Sequence, residues 1–140
     1  MPLEISAEVK GARRTQRELE RAGPEAKRKA VGIVKSTSVA LERRIKTEMP
    51  VLHGRARASW GHWEPGLLVN AQKANASRTD AHWRVMDDGL TIEQGSNVEY
   101  IPALNDGHSK QAPAGFIDKA VMVAQRTLIK AVNEMLKRLF

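Results

Sequence analysis

Residues 81–97 read AHWRVMDDGLTIEQGSN, and their reading decides the fold class. Two runs rich in β-branched and aromatic residues flank Asp88-Gly89, the dipeptide favoured by two-residue hairpin turns of type I′. With Asp88 and Gly89 as the loop, Val85 lies opposite Ile92 and Arg84 opposite Glu93. Val85 and Ile92 then share a face with Trp83 and Leu90, and the Arg84–Glu93 pair occupies the other. Val85 and Ile92 are expected to be buried against one or both long helices.

On either side of this hairpin the apolar spacing changes from two to three and four. Pro24 suits the first position of a helix, where a missing N–H costs nothing. Ala30, Val34, Leu41 and Ile45 then form one helical stripe. Lys27, Arg28, Lys35, Arg43 and Lys46 lie mostly off that stripe. Pro50 disfavours α geometry at Met49 and ends the helix. At the other end of the chain, 114–140 is amphipathic, with Ile117, Ala120, Val121, Ala124, Leu128, Ala131, Val132, Met135 and Leu139 in phase. Helix, antiparallel strands, helix is an α+β order, expected as a single domain over 1–140. Residues 1–23 are expected as an N-terminal arm, mobile or ordered by a partner.

Arg55 and Arg57 alternate with Ala56, Ala58 and Trp60, which predicts a further strand. Trp60 and Trp83 fall on the apolar phase of their respective strands and are expected in the core, with Trp63 partly exposed. Residues 65–80 read as an exposed excursion, with Leu67-Leu68-Val69 a candidate strand extension.

Composition narrows the chemistry. The chain has 140 residues, no Cys, three Trp, two Phe and one Tyr. Disulfides and thiolate sites are ruled out, and an aromatic-lined cofactor pocket is not expected. No secretory leader or run long enough to span a membrane is visible. His53, His62, His82 and His108 form no ligand motif, and Ser59 and Ser109 no nucleophile motif. Asp87 and Asp88 serve the turn rather than a catalytic dyad. No metal, cofactor, small-molecule substrate or enzymatic activity is expected.

The net charge of +7 is unevenly placed. Residues 1–50 carry 12 basic and 7 acidic side chains, 51–112 carry 6 and 7, and 113–140 carry 5 and 2. The surplus lies in the two terminal segments, which suits an anionic partner. A small basic nucleic-acid-binding protein therefore stays open as a reading, with Trp residues stacking on bases and Arg55, Arg57 and Arg78 on phosphates.

Two stretches carry more specific information: PVLHGRARASW at 50–60 and YIPALNDGHSKQAPAGF at 100–116. In the second, Tyr100, Ile101 and Leu104 are spaced as a helical turn. Gly107 follows where an αL residue commonly ends one. Pro113 and Phe116 close the far side. Together the two stretches resemble the phage tail-completion, or head–tail joining (neck), proteins, also described as minor tail components. That family carries P-V-D-T-G-R-x-R-x-S-W and later Y-A-x-x-L-E-x-G-x-S-x-Q-A-P-x-G. Leu52-His53, Ile101, Asn105 and His108 depart from its pattern. The resemblance implies a virion protein at the head–tail junction, assembled in the host cytoplasm. It would form a homo-oligomeric ring between the portal connector and the tail terminator or tube, close to packaged DNA. The contact residues expected under this resemblance are Asn105, Gly107, His108, Ser109, Lys110, Gln111, Pro113 and Gly115, with Arg55, Arg57, Arg43 and Arg44.

Overall fold

A computed structural model describes residues 3–7, 17, 20–51, 53–107, 112 and 114–139; residues 3–7 are described by their backbone alone. The architecture is α+β, with a long N-terminal helix, a small antiparallel sheet and a long C-terminal helix.

Helix α1 spans Pro24–Glu48. Gly23 precedes it at φ 92°, Pro24 opens it, and Met49 leaves it in an extended conformation ahead of Pro50. Helix α5 spans Phe116–Leu139. Between them come three short helical turns, α2 (Arg55–Ala58), α3 (Ala71–Ala74) and α4 (Ile101–Asn105). Strand β1 is Leu3–Ala7, β2 is Ala81–Met86 and β3 is Thr91–Ser96. The sheet order is β1-β3-β2, with both pairings antiparallel.

The hairpin has the expected register: Arg84 pairs with Glu93 and Val85 with Ile92. Asp88 at φ 55°, ψ 29° and Gly89 at φ 92° supply the two positive φ angles of a type I′ turn, and the Leu90 N–H donates to the Asp87 carbonyl at 3.0 Å. The burial expected of Val85 is not observed. Ile92 is buried, but Val85 is 57% exposed. Strand β2 is an edge strand, so Val85 has a neighbouring strand on one side only, although α1 reaches the adjoining turn through Lys27 and Asp88 at 3.0 Å.

The two long helices run antiparallel. One core cluster joins Leu41, Ile45 and Met49 of α1 to Phe116, Ile117 and Ala120 of α5, together with Trp60, Val98 and Ile101. The other joins Ala26, Ala30 and Val34 to Leu128, Val132 and Leu136, with Ile92 from the sheet. Each fully buried Leu, Ile or Phe here contributes about 1.5–3 kcal/mol of transfer free energy. Trp60 is fully buried, Trp83 packs partly buried against the second cluster, and Trp63 is partly exposed.

The strand expected around Arg55 is a helical turn instead. Gly54 starts it at φ 78°, and a Cβ there would collide with the Leu67 carbonyl. One turn is too short to show a helical period. The buried Ala56 and Ala58 reproduce the alternation that a strand would give. Residues 65–80 do form an exposed excursion, but Leu67-Leu68-Val69 extend no strand. Pro65–Leu67 is a 3-10 turn, and Val69 is bound through its N–H to the His53 carbonyl at 3.0 Å.

The candidate contact surface

Asn105 closes the ten-residue connection between α4 and α5 from both sides. Its carbonyl accepts the Gly115 N–H, its Oδ1 accepts the Ile117 N–H at 3.0 Å, and its Nδ2 donates to Asp118 at 2.9 Å. The first turn of α5 is thus capped by a side chain from another segment, satisfying an orphan donor. Gly107 sits at φ 89°, as a helix-ending αL residue, and its N–H returns to the Leu104 carbonyl at 3.2 Å. A Cβ at Gly107 would come within 2.9 Å of the Ala114 Cβ, so the two ends of the connection pass in close contact. Ala112 is buried in the core cluster with Phe116, which pins the connection at a third point. His108, Ser109, Lys110, Gln111 and Pro113 lie outside the described residues.

Arg55 and Arg57 are both bonded within the chain. Arg55 Nη1 donates to Glu99 at 2.9 Å and its Nε to Asp80 at 3.4 Å, with the guanidinium 6.0 Å from the Tyr100 ring centre. Burial opposes the Arg55 charge, but hydrogen bonds to Glu99 and Asp80 outweigh it and raise its pKa. Glu99 is held below its ordinary range by its own backbone N–H and then by Arg55, whereas burial raises Tyr100. Arg57 donates from Nε to the Met49 carbonyl at 2.8 Å and from Nη2 to the Thr47 carbonyl at 3.0 Å. A cation at the end of α1 thereby satisfies its last carbonyls and opposes its dipole. In this chain both arginines therefore hold the scaffold of the surface together.

Arg43 and Arg44 stand on the exposed side of α1. Arg44 reaches Glu48 at 3.8 Å. Arg43 lines a shallow groove with Gly32, Lys35, Ser36, Val39 and Ala40. They are not part of the cluster around Asn105; the expected contact residues fall into two separate patches plus an internal clamp.

A buried polar network escaped the sequence reading. Lys46, expected off the buried stripe, has a side chain only 6% exposed, beside Glu42 at 8%. Lys46 Nζ donates to the His62 carbonyl at 2.8 Å and to Glu64. His62 pairs with Glu42 through Nδ1 at 2.9 Å and lies 4.0 Å from the Trp83 ring. The partners come from a loop 16 to 20 residues away, which no local pattern reveals. Likewise Trp60 Nε1 donates to Gln94 Oε1 at 2.9 Å, and Gln94 Nε2 donates to the Ser38 carbonyl at 2.8 Å, joining three elements through one buried amide.

Among the described residues, no three His, Asp or Glu side chains gather to hold a metal ion. No helix among them is long and apolar enough to cross a membrane. Searches of protein-family models, curated proteins and solved structures found no match to the chain.

Proposed function

We infer that the protein is a non-enzymatic structural component of a tailed-phage or prophage particle. It joins the portal connector to the tail tube as one member of a ring. The observation that carries this reading is the connection between α4 and α5. Asn105 bonds Gly115 and Ile117 across it and Ala112 is buried in the core, so described residues on both sides of its polar stretch form a fixed frame. Within that stretch, Ser109, Lys110 and Gln111 also carry the family resemblance. A polar sequence that brings donors and acceptors but no reactive group suits assembly, where shape and hydrogen bonding do the work.

The test is replacement of Ser109, Lys110 and Gln111 together by Ala. Unjoined heads and tails, with thermal stability nearly unchanged, support the role. Infectious particles in normal yield refute it. Arg43→Glu with Arg44→Glu tests the second patch, where assembly should suffer more than folding. The runner-up reading, a basic nucleic-acid-binding protein, draws on one feature of α5.

A further inference from the structure

Helix α5 carries four cations on one line. Lys119, Arg126, Lys130 and Lys137 are separated by seven, four and seven residues, and all four are exposed. At about 100° per residue they fall within roughly 20° of a common meridian and span about 27 Å. Among the described residues none of the four has an ion-pair partner within 4.0 Å, although Glu134 stands within a turn of Lys130 and Lys137. On α1, Lys27, Lys29 and Arg44 are engaged by acids, while Arg28, Lys35 and Arg43 are exposed with no ion-pair partner among the described residues.

We propose that this row is a binding surface for the phosphate backbone of duplex DNA. An unneutralised row of like charge costs electrostatic repulsion in the free protein. A polyanion of matching length offsets it. Over about 27 Å of duplex axis each strand carries about eight phosphates, and those on the side of the duplex that faces the helix are enough to meet four cations. Asn133, exposed and close to the same line, adds an uncharged donor. The exposed Met122 and Ile129 lie roughly 60–80° around the helix, clear of the row, so backbone contact does not bury them. Ala120, Ala124, Leu128 and Val132 seat the opposite side of α5 in the core. The row is therefore presented rigidly, with little ordering left to be done on binding. The contact reads charge and not sequence, because no base edge is reached. This inference stands apart from the joining role, since it is measured on the purified chain.

The experiment is fluorescence anisotropy with a labelled 30-base-pair duplex of mixed sequence, from 50 to 200 mM salt. Four phosphate contacts give a log–log salt slope of about −3.6, a loss on the order of 100-fold over that range. Single variants K119Q, R126Q, K130Q and K137Q should each flatten the slope by about one. The quadruple variant should lose binding. A control with the same charge change on α1, R28Q/K29Q/K35Q/R43Q, should keep affinity within about threefold, since exposed charges beyond about 10 Å are largely screened. Equal losses in the two quadruple variants would overturn the proposal. So would no duplex binding at 50 mM salt, or binding of a poly-glutamate peptide in place of DNA, which would make the partner an acidic protein. Thermal melts of both variants confirm that the fold is retained.

Discussion

Asn105 caps a helix it does not belong to: its Oδ1 accepts the Ile117 N–H at 3.0 Å, across 12 residues of chain. The pairing gives Asn105 a part in holding the fold. Asn105→Ala should cost about 0.5–2 kcal/mol, the range for loss of a helix cap. Urea denaturation measures this. A stable Asn105→Ala protein that failed only in particle assembly would return the residue to the contact surface.

Gln94 is the second buried hinge of polar bonding. Gln94→Leu leaves the buried Trp60 N–H without its partner and removes the second bond of the Ser38 carbonyl, which keeps its helical one. The orphaned N–H costs about 1–3 kcal/mol. The variant should unfold well below the parent in thermal denaturation, and more severely than Val85→Ala, whose side chain is largely in water.

Arg57 should tolerate no neutral replacement. Hydrogen bonds from a charged donor contribute about 1.5–3 kcal/mol, and two of them close α1 here. Arg57→Met is expected to lower stability by that order, and Arg57→Lys to recover part of it. Hydrogen exchange of the last turn of α1 should quicken in parallel. Unchanged exchange would show that the cap does not hold the turn.

Acid should act through Glu99. Its folded pKa lies below the ordinary 4.5. The associated stability is therefore present above pH 4.5 and is lost as pH falls through the lower folded value. The parent's advantage over Glu99→Gln should be constant at neutral pH and vanish on further acidification. Because Glu99 is open to solvent, added salt should shrink the same advantage.

What the sequence made legible was periodic and local. The stripes of α1 and α5 and the Asp88-Gly89 turn each announce themselves within a few residues, and the register followed from the turn. Trp60 and Trp83 were placed in the core by phase alone. The failures share one cause, dependence on distant partners. Arg55–Ala58 is a single turn whose two buried alanines imitate a strand. Strand β1 is defined only by its pairing to β3, some 90 residues on. Lys46 is buried because His62 and Glu64 fold over it, and Val85 is exposed on the edge strand although α1 meets the adjoining turn at Asp88 and Gly89. At the contact surface, spacing located the helical turn and the αL Gly107. It did not reveal the bonds that Asn105, Arg55 and Arg57 make within the chain.

The lock at Asn105 separates two things that usually evolve together. With Gly115 tied directly to Asn105, the length of the stretch between them is uncoupled from the positions of α4 and α5, while its composition stays bound at Gly107 and Ala112. Doubling such a loop adds only about 0.6 kcal/mol of closure entropy. A longer connection would therefore alter what the chain offers to a counterpart without rebuilding the body that carries it.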